Sequence, residues 1–122
     1  MPRLKTESFT GGDQRWLGTS HGIANCRTAV LQSQDFTAVA KDGVVLSGYP
    51  VAEVGGLLKP YNAGGSGGTE VLAGHLFTDQ QLPDSGNISV PLYDHGRVRT
   101  RFLPVEGFTA PTSQANTTIV YI

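Results

Sequence analysis

The sequence predicts an all-β fold, a small β-sandwich or barrel, on three observations. The 122 residues include 16 glycines and 7 prolines, which interrupt helices and build turns. Short runs rich in Val, Ile, Thr, Tyr and Phe recur at intervals of roughly 8–14 residues with turn signals between them, the spacing of a compact β architecture. No long run of Ala, Leu, Glu and Lys offers a helix. A chain this short suits one domain and buries only about 60–70% of its unfolded surface, so docking on a partner or on sister copies would add stability.

The chain divides at residue 27. Residues 1–27 read as an extended N-terminal arm and residues 28–122 as a β-rich domain. Residues 1–12 are polar, with Leu4 and Phe9 as the sizeable apolar side chains after Met1. Residues 13–30 mix single hydrophobes with polar residues in no clean period, too little to bury much surface alone. Trp16 and Leu17 are the strongest anchor points of this arm. Its deletion is expected to leave the body folded.

The body opens with a short strand over 29–31. Lys41-Asp42-Gly43 carries an Asp-Gly turn signal. Strands follow over 44–46 and 49–54, with a kink or bulge at Ser47-Gly48. Gly55-Gly56 turns the chain into its hairpin partner, 57–61. The segment 62–70, NAGGSGGTE, is a loop by composition. VLAGHLFT at 71–78 reads as a central strand in which Gly74 permits close backbone approach. After a loop over 79–87, residues 88–93 alternate as a strand. Pro91 lacks an N–H, which places that strand at a sheet edge. Asp94-His95-Gly96 turns into 97–102, the cleanest period-2 segment of the chain. There Arg97, Arg99 and Arg101 share one face, and Val98, Thr100 and Phe102 the other. Residues 118–122, TIVYI, form a terminal strand that needs pairing. One short helical turn fits near 79–82 or after Phe108.

Charge and motif patterns argue against most chemistry. The net charge is −1 and no long Lys/Arg cluster is present, so nucleic acid is not an expected partner. One cysteine, Cys26, forms no internal disulfide. No signal core or bilayer-spanning stretch appears, which suits a chain made in a reducing cytoplasm and no membrane partner. The histidines His21, His75 and His95 lack the local spacing of metal ligands and read as turn or surface residues, so no metal and no cofactor is expected. Cys26 follows His21 on an arm too loose to hold a nucleophile and base in register. Asp94-His95 has no nucleophile-elbow motif beside it. The glycines at 64–68 precede Thr69-Glu70 rather than the Lys and helix of a phosphate loop. The expectation is a protein without catalytic residues. The interaction candidates are Arg15, Trp16, Leu17, Arg97, Arg99 and Arg101. The arginine stripe suits an acidic protein surface or a neighbouring subunit, or is simply a solvated face. Trp16, Leu17 and 118–122 suit strand addition to another chain, or intramolecular burial. Trp16, Tyr49, Tyr61 and Tyr93 could alternatively stack on sugars.

The order of segments from Gly43 to Pro104 resembles the small head decoration proteins of tailed phages, in particular the lambda-D-like group of actinobacterial phages. VVLSGYPVAEV at 44–54, LLKPY at 57–61, AGHLFTD at 73–79 and VPLYDHGRVRTRFLP at 90–104 carry it, with RWLGTSHGIANCRTAVL at 15–31 similar to the leader of that group. The resemblance implies a β-tulip-like domain that forms a homotrimer on the outside of the expanded head. It implies a major capsid protein as partner, reached by the N-terminal arm, and a virion location after assembly in the host cytoplasm.

Overall fold

The structure, a computed structural model, describes residues 14–18, 26–105, 108–111, 114 and 117–122. All of the expected arm before Gln14 and the segment 19–25, with His21, lie outside them.

The fold is nearly all-β and centres on a closed five-stranded barrel. Its strands are β1 (Arg27–Gln32), β3 (Pro50–Val54), β4 (Leu57–Pro60), β5 (Leu72–Leu76) and β7 (Asn87–Tyr93), in the order β1-β4-β3-β5-β7. The β3–β4 hairpin forms because Gly55 and Gly56 take φ of +62° and +83°, the paired left-handed geometry whose twist matches the flanking strands. β7 runs antiparallel along the whole of β1, from Arg27↔Leu92 to Gln32↔Asn87. β1 meets β4 in parallel at Leu31↔Leu58, and that contact closes the ring.

The barrel interior is aliphatic. Leu31, Val51, Leu58, Leu76, Val90 and Leu92 bury together, and Phe36 packs with them. Phe36 comes from α1 (Ser33–Phe36), a single helical turn, so a short helix lies there and not near 79–82, and the described residues after Phe108 form none. Residues 80–81 instead form β6 (Gln80–Gln81), which pairs with β2 (Val44–Val45) in a two-stranded ribbon.

β8 (His95–Val98) and β9 (Thr118–Tyr121) make a separate parallel pair. A second core lies beneath it, formed by Trp16, Tyr93, Val98, Leu103 and Ile119.

Two sequence expectations are corrected. β7 is not an edge strand, because it pairs with both β1 and β5. The missing Pro91 N–H is tolerated because it falls where the β5 ladder ends. The period-2 segment is not one strand either. β8 stops at Val98, and Thr100–Phe102 coil into a 3₁₀ turn. The ladder with β9 (Thr118–Tyr121) has run out there: Thr100 N–H donates to the Ile122 carbonyl at 3.1 Å, already past the end of β9.

Candidate functional site

Pro91 decides where the two ends of the molecule are joined. Phe77 N–H donates to the Pro91 carbonyl at 3.1 Å, but proline returns no donor to the Phe77 carbonyl. That carbonyl accepts instead from the Gln14 side-chain amide at 2.6 Å and from the Ser47 hydroxyl at 2.8 Å. Ser47 Oγ accepts the Trp16 indole N–H at 3.0 Å, and the Ser47 backbone N–H donates to Asp79 Oδ1 at 2.7 Å. Each of these donors in the part-buried network has an acceptor.

Trp16 is the hub of the second core. It is fully buried, 5.9 Å from the His75 ring and edge-on to Tyr93 at 5.4 Å. Gly48 lies against it with φ +92°, and a Cβ there would sit 2.8 Å from the indole. Only glycine fits both the dihedral and the space. Of the two readings of Trp16, strand addition to another chain or intramolecular burial, the structure shows burial: its indole is spent inside this chain. Residues 14–18 belong to the body, so the arm does not extend unbroken to residue 27. Arg27 itself opens β1.

Residues 16–18 add to β8 as a short antiparallel strand. Leu17 bridges Val98, Gly18 N–H donates to the Arg97 carbonyl at 2.9 Å, and Arg99 N–H donates to the Trp16 carbonyl at 2.6 Å. The result is a three-stranded sheet with 16–18 on one side of β8 and β9 on the other. Leu17 is half-buried against the second core.

His75 ties β9 to the barrel. It was expected at a turn or surface, and the structure corrects this: it is completely buried within β5. The Gly48 carbonyl, 2.9 Å from Nδ1, can only accept, so Nδ1 carries the proton and Nε2 accepts from the Tyr121 hydroxyl at 2.9 Å. Burial lowers its pKa to about 4, against a weaker upward pull from the Gly48 bond. Burial also pushes the Tyr121 hydroxyl well up. Both rings are neutral links at physiological pH.

The predicted arginines separate into two sets. Arg97 and Arg99 flank buried Val98 and project from the outer face of the small sheet. Arg101 leaves with the 3₁₀ turn and stacks on Phe102 at 4.9 Å, while Arg15 covers the same ring at 5.1 Å. Those two, with Ser47, Asp79 and Pro104, line a shallow cleft of about 280 Å³. A second cleft of about 330 Å³ is lined by Tyr49, Tyr61, Asn62, Phe108 and Thr109.

Cys26 and His95 both interact with Asp94. Burial, reinforced by the Asp94 carboxylate, raises the Cys26 pKa, which weakens it as a nucleophile. His95 pairs with Asp94 at 3.1 Å, and Arg27 joins the same carboxylate at 3.5 Å. Among the described residues no group of three His, Cys, Asp or Glu side chains converges as metal ligands, and no helix is long and apolar enough to cross a membrane. No protein-family model, curated protein or solved structure matches this chain.

Sequence reasoning missed Ser47, His75, Gln14 and Tyr121 as the residues that join the ends. His75 was the most accessible of them. A histidine in the middle of the apolar run LAGHL points to a buried, hydrogen-bonded ring more than to a turn.

Proposed function

We propose that this chain is a non-enzymatic capsid decoration protein, which binds the outside of the expanded head of a tailed phage as a homotrimer and stabilises the shell. The carrying observation is the terminal sheet. The small β8–β9 sheet beside the barrel presents the exposed Arg97 and Arg99 next to the exposed Val120 and Ile122. Mixed aliphatic and arginine surface of this kind suits protein contact rather than catalysis. The resemblance of the segment order over 43–104 to head decoration proteins points toward the same reading. Three copies would bind the shell far more tightly than one, because each contact raises the effective concentration of the next. Binding only the expanded lattice stabilises that lattice by linkage.

Two measurements test it. Light scattering is expected to give a mass of three times 12.9 kDa, in solution or after release from particles. Co-sedimentation with expanded heads of the phage that encodes the chain is expected to saturate, and unexpanded heads are expected to bind less. A strict monomer that does not sediment with expanded heads overturns the proposal.

A second reading, glycan binding, is favoured by the cleft between Tyr49, Tyr61 and Phe108, which offers ring faces next to the Asn62 and Thr109 side chains. Trp16 and Tyr93, the other aromatics expected to stack on sugars, are buried and do not contribute. Binding on a glycan array that Tyr61→Ala removes would replace the first reading with this one.

A further inference from the structure

The outer edge of β9 is set by the hydrogen-bond phase of its pairing with β8. Thr118 N–H donates to the Asp94 carbonyl at 3.0 Å, and Ile122 N–H to the Val98 carbonyl at 2.8 Å. Residues 118, 120 and 122 therefore turn their peptide groups toward β8, and Ile119 and Tyr121 turn theirs away. Ile119 is already met by a peptide-like group. The Gln114 side-chain amide donates to its carbonyl at 2.8 Å, and Gln114 Oε1 accepts from its N–H at 2.9 Å. The outward N–H and C=O of Tyr121 have no such partner among the described residues.

The outer face beside this edge carries the other half of the pattern. Val120 and Ile122 are the exposed large hydrophobics of the described residues, at 52% and 53%. Arg97 pairs in register with Val120, and Arg99 follows on the same face. Among the described residues no carboxylate lies within ion-pair distance of Arg97 or Arg99. An arginine side chain outreaches one strand spacing of about 4.8 Å, so both guanidinium groups can lie across the β9 aliphatics toward the position of a next strand.

We propose that an acidic, extended segment of a partner protein adds to β9 as a fourth strand, pairing with Tyr121 and placing carboxylates against Arg97 and Arg99. Main-chain bonds supply the docking, apolar side chains cover Val120 and Ile122, and the arginines select charge. This deepens the decoration reading, on which it rests only for the partner's identity.

The test uses the full chain, labelled with nitrogen-15, and two blocked heptapeptides as probes, one alternating Glu and Val and the other Lys and Val. The Glu/Val peptide is expected to shift the Val120 and Tyr121 amides and to slow Tyr121 hydrogen exchange. The Lys/Val peptide is expected to bind about tenfold more weakly. Arg97→Glu with Arg99→Glu, both surface changes, is expected to keep the thermal transition and reverse the preference. Equal affinities, or shifts centred away from β9, overturn the proposal. So does self-association that Val120→Lys removes, since the occupant is then a second copy. Head binding separates this inference from the broader one. If the doubly charge-reversed variant binds expanded heads as tightly as the unaltered chain, the strand site is overturned and the decoration reading stands. If the unaltered chain discriminates the peptides but ignores heads, the site stands and the decoration reading falls.

Discussion

The two cores of this molecule are built on opposite plans. The barrel core is aliphatic, and its strands follow one another closely in sequence, from β3 through β4 and β5 to β7, with β1 closing the ring. The second core is aromatic and draws its members from both ends of the chain: Trp16 from the N-terminal segment, Tyr93 and Val98 from the middle, Ile119 from the last strand. The barrel depends on burial, which tolerates small shifts of neighbours. The second core depends on directional links: Trp16 to Ser47, Gln14 to Phe77, and His75 to Tyr121. A hydrophobic core can lose a methylene and relax, whereas a buried hydrogen-bond chain that loses one partner leaves the other unsatisfied.

The sharpest way to break the comparison is at Trp16. Trp16→Ala empties the centre of the second core and is expected to cost about 3–5 kcal/mol, measured by urea unfolding. Leu58→Ala in the barrel is expected to cost about 2–5 kcal/mol. If the second core were a mere appendage, Trp16→Ala would leave the barrel's cooperative transition in place, and only Leu58→Ala would move it. One transition lowered by both variants is expected, because Ser47, Phe77 and His75 belong to or adjoin the barrel strands. Removal of residues 1–27 takes away Trp16, the Gln14 link and the strand at 16–18 together. It is therefore expected to destabilise the body more than Trp16→Ala, contrary to the reading of those residues as a dispensable arm.

This contrast also explains what could be read from the sequence. The β3–β4 hairpin was legible because Gly55-Gly56 separates two apolar runs, and β1, β5 and β7 were legible as short apolar segments between turns. These are local signals. The placement of β7 was not legible. Pro91 marks a missing donor, but only the closed ring shows that the missing bond faces the end of the β5 ladder. The arginine stripe was half legible: Arg97 and Arg99 keep the alternation, and Arg101 loses it because β9 ends and no partner remains to hold residue 101 extended. Trp16 looked available because nothing near it in sequence could bury it. Its pocket is made by Ser47, Gly48, His75 and Tyr93, and no periodicity records such distant encounters.

Acid should act through the junction between the cores. His75 has a folded pKa of about 4 against an ordinary value of 6.5. Above pH 6.5 the ring is neutral folded or unfolded, and its burial carries no protonation penalty. As pH falls from 6.5 to about 4 the unfolded chain binds a proton that the folded chain does not, so stability falls across that window and levels off below it. The loss is expected to total about 3 kcal/mol. His75→Phe is expected to flatten this part of the pH profile, whatever its effect at neutral pH. An unchanged slope between pH 6.5 and 4 in that variant would place the acid sensitivity elsewhere.

Tyr121→Phe probes the same junction more gently and distinguishes a directional link from simple packing. The ring stays, so its contacts with the His75 and Phe108 rings are kept and only the hydroxyl is lost. That hydroxyl donates to His75 Nε2, which is left as a buried acceptor without a donor, at an expected cost of about 1–3 kcal/mol at pH 7. Because the donated bond favours the neutral imidazole, its loss should raise the His75 pKa from its depressed value and narrow the pH window over which stability is lost. Nitrogen-15 titration of the His75 ring reads the pKa directly, and urea unfolding at pH 7 reads the cost. A stability change with no movement of the His75 titration would mean that Tyr121 holds β9 by ring packing alone. The second core would then resemble the barrel more closely than its hydrogen bonds suggest.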